Sequence, residues 1–141
     1  MANALYNIWK EAIIQALTNS SLASTNVRVS FLDTGVYAFS QAHDFYNDLT
    51  TGVWPNTRAT GIALGTKTYV TGTFDAADSL FSAFSNGSIS LEGIVIYIDD
   101  GAADASSRLV LYLDTSITGM PFTPSGADVT IQWNASGIFA L

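Results

Sequence analysis

The sequence has no cysteine and few charged residues, and each shortage excludes a group of functions. Without cysteine, the chain forms no disulfide, zinc–thiolate site or iron–sulfur cluster, and it has no thiol nucleophile. Asp, Glu, Lys and Arg together make up 12% of the chain, about half of the ~25% in a typical soluble domain. The resulting net charge of −7 argues against binding to nucleic acid or to an anionic membrane surface.

Long apolar runs are also missing. No segment approaches the ~20 apolar residues that a membrane-spanning helix needs. The opening residues Met1–Tyr6 lack the basic start of a secretory signal, and Lys10 and Glu11 interrupt the apolar stretch that such a signal requires. We therefore expect a soluble chain that is made in the cytoplasm of its producer.

The length and the apolar content predict a single domain over residues 1–141. Its 141 residues are 48% hydrophobic, which suits one well-packed core. Apolar residues recur at helical spacing within 1–20 and predict an amphipathic helix from about Asn3 to Leu17, with Asn3 as its N-cap. The apolar stripe of this helix faces either the domain's own core or a neighbouring subunit.

Residues 26–141 have the pattern of a mainly β body. Turn signals separate about seven short antiparallel strands, which is typical of a β-sandwich or barrel. Val27–Leu32 alternates like a half-buried strand. The runs Ile94–Ile98 and Leu109–Leu113 are continuously apolar and predict paired central strands that are buried on both faces. The other candidate strands are Thr60–Leu64, Thr66–Phe74, Val129–Trp133 and Ile138–Leu141.

Few residues suggest catalysis or metal binding. His43 is the one histidine and hence the one base for nucleophilic catalysis, and no Gly-x-Ser-x-Gly elbow accompanies it. Asp99, Asp100 and Asp104 offer oxygen ligands, but without the glutamate and spacing of a calcium loop they suit a solvated hairpin tip. We therefore predict no enzyme activity, no cofactor and no resident metal.

The composition favours assembly with other subunits. Uncharged polar residues replace the usual charged coat, and mean hydropathy is +0.28. Large shared surfaces are likewise depleted in charge and rich in aromatic side chains. The candidate partner contacts are apolar side chains of three regions: the helix, the aromatic loops within 37–60, and segment 75–87. The pattern of segment 75–87 fits either a helix or a strand. They are Ile8, Trp9, Ile13, Tyr37, Trp54, Phe81 and Phe84.

Several stretches resemble a family of small virion proteins of tailed bacteriophages. The opening Met1–Tyr6, the strand Val27–Thr34 and the run His43–Phe45 follow the pattern of that family. The closing portion matches best, through Tyr112–Thr115 and Gly119–Trp133. The resemblance implies a capsid decoration or cement protein on the particle exterior. Such a protein binds the major capsid protein and copies of itself, as a dimer or trimer, and binds neither nucleic acid nor membrane.

Three alternatives remain open at this point. One is a tail, neck or adhesin component of the same kind of particle. Another is a carbohydrate-binding β-sandwich module that uses Trp54 and the loops between Tyr37 and Tyr46. The last is a hydrolase built around His43.

Overall fold

The computed structural model describes residues 3–141 and shows a mainly β protein with antiparallel sheets. The one α-helix in that range is α1, Asn7–Ile14, and short 3₁₀ helices cover Tyr46–Leu49, Arg58–Thr60 and Asp104–Ser106. None of these helices is long and apolar enough to cross a membrane. The strands are β1 Ala4–Leu5, β2 Val27–Leu32, β3 Val53–Trp54, β4 Ile62–Ala63, β5 Thr68–Val70, β6 Thr73–Asp75, β7 Ser79–Phe81, β8 Gly93–Ile98, β9 Arg108–Leu113, β10 Val129–Ile131 and β11 Phe139–Ala140.

The main sheet contains the two apolar runs as neighbours, as the sequence predicted. Its strand order is β1-β9-β8-β2-β3, and β4 pairs with another part of β2. Every residue of β8 is buried, because the strand lies between β9 and β2 and is covered on both faces. The expectation of a half-buried β2 is wrong, since only Arg28 of that strand is partly exposed.

Two smaller sheets complete the β structure, one with order β10-β7 and the other with order β11-β6-β5. The ring of Phe31 on β2 packs against Phe81, Phe84 and Phe122, with centroid distances of 4.7, 5.4 and 5.0 Å. The ambiguous segment 75–87 therefore contributes a strand, β7, with Ser79 and Phe81 buried and Leu80 exposed. No sheet in the described part of the chain closes into a barrel.

The N-terminal helix is shorter than the apolar spacing predicts. It begins at Asn7 because Ala4–Leu5 pairs with β9 instead of joining the helix. Asn3 is not its N-cap, since the Asn3 side chain accepts hydrogen bonds from the main-chain N–H groups of Asp114 and Thr115, at 2.9 and 3.0 Å.

The helix also ends early and faces the core of its own chain. Ala16 has a left-handed φ of 52°, so the backbone leaves the helix before Leu17. Trp9 and Ala12 are its buried residues, and the Trp9 indole meets the ring of Phe139 edge-on at 5.7 Å. The apolar stripe therefore packs within the domain at these two positions.

A tight turn divides the segment that the sequence presented as one strand, Thr66–Phe74. Thr71 and Gly72 have φ values of 51° and 77°, and the chain reverses there between β5 and β6. Positive φ at both central residues suits the right-handed twist of a two-residue hairpin. The hairpin places Thr68–Val70 at the outside of its sheet.

Candidate functional site

The seven candidate contact residues fall into a buried and a part-exposed group. Trp9, Tyr37, Phe81 and Phe84 are only 1%, 2%, 2% and 7% exposed, so they are core residues with almost no side-chain surface for a partner. Ile8, Ile13 and Trp54 are partly exposed. The seven residues therefore do not form one surface. Trp9 and Ile13 of the helix line a larger apolar hollow.

That surface surrounds a hollow of about 270 Å³ between α1, β5 and the C-terminus. Trp9, Ile13, Leu22, Tyr69 and Leu141 line it together with small residues of 20–23. None of the lining residues is Asp, Glu, Lys or Arg. We call this hollow and the residues that line it the end surface.

Two of the side chains that line the end surface are largely in solvent. Tyr69 and Leu141 are 51% and 70% exposed. The Tyr69 hydroxyl donates to the Leu22 carbonyl at 2.8 Å, which holds its ring beside the hollow. Because β5 is the outer strand of its sheet, its second edge has no paired strand in residues 3–141.

His43 belongs to a line of hydrogen bonds that leads into the core. Its Nδ1 atom lies 2.9 Å from the Tyr37 hydroxyl, which lies 2.8 Å from the Tyr6 hydroxyl. Burial raises the pKa of Tyr37 to about 12, and burial also raises the pKa of Tyr6 well above its usual value. Both phenols are therefore neutral hydrogen-bonding groups near pH 7. The contact gives His43 a structural role through one of its ring nitrogens.

Arginine side chains bind the acidic segment, residues 99–104, which follows β8. The Asp99 carboxylate, 4% exposed, binds Arg58 and accepts a hydrogen bond of 3.0 Å from Arg28 Nε. Burial raises the pKa of Asp99, but the Gly101 N–H and both guanidinium groups lower it more, so the net shift is downward. Arg58 also contacts Asp104 at 3.2 Å.

The carboxylate of Asp100, the remaining one in this segment, also accepts hydrogen bonds from within the protein. Asp100 Oδ1 accepts hydrogen bonds from the main-chain N–H groups of Ala102 and Ala103, at 2.9 and 3.2 Å, and from the Ser107 hydroxyl at 3.0 Å. Over residues 3–141 no group of three or more His, Asp or Glu side chains is arranged to hold a metal ion. The acidic segment is thus organised as an internal network.

A larger hollow of about 690 Å³ lies between the segment after β9 and strand β10. Residues 115–120 and 129–134 form its walls, and Phe31 and Ile94 lie at its base. We call it the cleft. Sequence reasoning missed it, although a signal was present: residues 115–141 contain one charged residue, Asp128.

The end surface and the cleft are the two candidates for binding. Comparison with protein-family models, with curated proteins and with solved structures finds no match for this chain. His43 Nδ1 and the Asp99 carboxylate are bonded within the protein, whereas the end surface and the cleft present apolar and polar groups to solvent. Both surfaces are therefore available to a partner.

Proposed function

We propose that the protein is a non-enzymatic structural component of a tailed-bacteriophage virion that binds the assembled head and stabilises it. Its partners are the major capsid protein and copies of itself, as a dimer or trimer. It acts at the particle exterior after synthesis in the host cytoplasm, without contact to nucleic acid or membrane. The resemblance of Met1–Tyr6 and Gly119–Trp133 to small virion proteins supports this proposal.

The observation that carries the proposal is the end surface. Tyr69 at 51% exposure and Leu141 at 70% line the same hollow and leave apolar area in solvent, and such areas on soluble proteins mark interaction sites. Its burial against a capsomer favours association by roughly 25 cal/mol for each Å² of apolar area removed from water, before the entropy cost of association is subtracted. The free edge of β5 adds main-chain hydrogen bonds to a partner strand.

The chemistry of the end surface specifies what kind of capsid surface it fits. Because no Asp, Glu, Lys or Arg lines it, the complementary area is apolar and uncharged. Contacts of this kind are screened little by salt, unlike ion pairs at a surface. Each contact is modest, and simultaneous engagement by a dimer or trimer raises the effective concentration of the remaining sites.

The internal networks support a role without catalysis. The Nδ1 atom of His43 is hydrogen-bonded to a tyrosine hydroxyl, and Asp99 is bonded to two arginines, so both groups have structural partners within the protein. We also propose that the main sheet and the smaller sheets form the two layers of a β-sandwich. The packing of Phe31 against Phe81 and Phe122 supports that arrangement.

The proposal is tested by sedimenting the protein with undecorated phage heads. The variants Leu141→Asp and Tyr69→Asp place a charge on the end surface. Leu141 is 70% exposed, so the melting temperature of Leu141→Asp should match the wild type, whereas Tyr69→Asp should melt somewhat lower because it also loses the hydrogen bond to the Leu22 carbonyl. Val36→Asp is the matched control, because Val36 is 52% exposed but follows β2, away from the lining of the end surface. We expect at least about tenfold weaker binding for the first two variants and unchanged binding for the control.

The same experiment has outcomes that contradict the proposal. Wild-type binding should saturate in proportion to capsomers, persist to about 1 M salt and raise the heat resistance of the heads. Equal binding by all three variants, or binding lost above physiological salt, removes the end surface as the contact. Binding to isolated tails in place of heads assigns the protein to the tail or neck.

A further inference from the structure

The cleft has a lining that differs in character from the end surface. Its walls combine aromatic and aliphatic side chains with hydroxyl and amide groups, and no charged side chain takes part. We propose that the cleft binds a neutral oligosaccharide. This assignment stands independently of capsid binding, because it uses a different surface of the molecule.

Trp133 provides a fixed aromatic platform in the cleft. Its main-chain N–H donates to Asp78 Oδ1 at 3.0 Å, and its indole N–H donates to the hydroxyl of Ser79 at 3.3 Å. Ser79 is 3% exposed, so the anchor lies within the core. A side chain whose main chain and indole N–H are both anchored loses little conformational entropy when a sugar ring stacks on it.

The polar groups beside Trp133 are free to bind a ligand. Within residues 3–141, the side chains of Thr118, Thr130 and Gln132 make no hydrogen bond, and all three are exposed. Asn134 accepts a hydrogen bond from the Ser136 N–H at 2.8 Å through Oδ1, which orients its amide. Sugar hydroxyls both donate and accept, so they match hydroxyl and amide groups on the two walls.

The absence of charge from the cleft lining decides the ligand's own charge. An ionic ligand would lose hydration on entering a cleft that has no opposite charge to replace it. The net charge of −7 also disfavours an anionic sugar. A purely apolar ligand would instead cover the hydroxyl and amide groups without pairing them, which costs free energy for each group that becomes buried.

The size of the cleft suits a short segment of glycan. Its volume of about 690 Å³ lies within the ~300–1,000 Å³ of typical ligand sites. Phe122 and Met120 extend the apolar surface along the wall opposite β10. The cleft therefore offers stacking on one wall, apolar contact on the other and hydrogen bonds at its rim.

The test uses calorimetric titration of the purified full chain with defined hexasaccharides. The probes are cellohexaose, maltohexaose, xylohexaose and the hexamer of N-acetylglucosamine, with hexagalacturonate as the anionic comparison. We expect at least one neutral probe to bind with Kd near or below about 1 mM, and hexagalacturonate to bind at least about tenfold more weakly.

Variants locate the bound sugar on the protein. Gln132→Ala removes an exposed amide, and Trp133→Ala removes the platform, while Trp133→Phe retains an aromatic ring. We expect weaker binding by at least about fivefold for Gln132→Ala, loss of detectable binding for Trp133→Ala and partial recovery for Trp133→Phe. Trp54→Phe is the matched control at a tryptophan outside the cleft and should bind like the wild type.

Each remaining outcome overturns the assignment. If no neutral probe binds in the millimolar range, or if hexagalacturonate binds equally well, the cleft does not bind neutral sugars. Binding that Gln132→Ala leaves unchanged and Trp54→Phe abolishes assigns the sugar to the loops around Trp54. Loss of head binding in Gln132→Ala, without binding of any sugar, assigns the cleft to a capsid segment instead.

Discussion

The guanidinium group of Arg28 on β2 donates from Nε to Oδ2 of Asp99, just after β8, over 3.0 Å. Its Nη1 atom also donates to the Gly61 carbonyl at 2.8 Å. The chain has only five Lys and Arg residues, and two of them, Arg28 and Arg58, bind the carboxylate of Asp99. In a protein with so little charge, this concentration makes Asp99 the main electrostatic link between the neighbouring strands and the 58–61 segment.

Replacement of Asp99 by asparagine should destabilise the fold. The substitution keeps the shape of the side chain but leaves Arg28 without its counter-charge and Arg58 with Asp104 alone. We expect the free energy of unfolding to fall by about 3 kcal/mol, the low end for a broken buried pair, because both guanidinium groups are partly exposed. Urea unfolding followed by tryptophan fluorescence measures the change.

Asp104→Asn is the matched control for that variant. Its carboxylate also contacts Arg58 but is 56% exposed, so the lost ion pair should cost less than about 1 kcal/mol. Equal destabilisation by the two substitutions would contradict the central role of Asp99.

The acidic segment should make stability dependent on pH on the acid side. The pKa of Asp99 lies below its usual value, and hydrogen bonding, with contributions from the Ser106 and Ser107 side chains and the main-chain N–H groups of Ala102 and Ala103, lowers the pKa of Asp100 to about 2. A carboxyl group whose pKa is lower in the folded state stabilises the fold above its unfolded pKa, about 4, and loses that contribution as the pH falls. We expect the melting temperature to fall between about pH 4 and pH 2 through these groups.

Asp99→Asn again supplies the comparison. If Asp99 contributes to the acid transition, its replacement makes the melting temperature fall less steeply over the same pH range. An identical slope in both proteins would show that other carboxylates cause the transition. Calorimetric scans at fixed ionic strength measure both curves.

Gly61 should not tolerate a side chain. A Cβ atom at this position would overlap the hydroxyl of buried Tyr97 and lie 2.7 Å from Ser30 Oγ. The Tyr97 hydroxyl donates to the Arg58 carbonyl at 2.7 Å, so it has little freedom to move. Gly61→Ala should therefore cost about 1–3 kcal/mol in unfolding free energy, as overpacking does.

Gly65→Ala is the control for the effect of alanine itself. A Cβ atom at Gly65 meets no atom within 4 Å, so the substitution should be neutral or stabilise by up to about 1 kcal/mol. Chemical denaturation of both variants gives the comparison, and equal stability of the two would contradict the steric argument.

Removal of metal ions by a chelator should leave the thermal stability of the protein unchanged. Asp99 is occupied by arginines and Asp100 by main-chain N–H groups, so a cation would have to displace existing contacts. We expect the same melting temperature with and without EDTA. A decrease of several degrees that calcium reverses would assign a cation site to the 99–104 segment.

The fold class and the central strands follow from the residue pattern alone. The apolar runs of β8 and β9 can be satisfied only by burial on both faces, so composition and pattern suffice to predict them as neighbours in the middle of a sheet. The start of the helix was less predictable. Ala4–Leu5 has helical spacing but pairs with β9, a contact between residues more than 100 positions apart.

Which apolar residues face solvent depends on how the sheets and the helix pack together. Trp9 and Ile13 share the helical stripe, yet Trp9 is buried and Ile13 is partly exposed. Leu80 and Phe81 are adjacent in the chain, yet Phe81 is buried and Leu80 is 49% exposed. Residue types do not distinguish these positions, because exposure depends on which sheet covers each face. The end surface arises between segments far apart in sequence, and the cleft lies between residues 115–120 and 129–134 over a base from β2 and β8, so both form only when the sheets pack together.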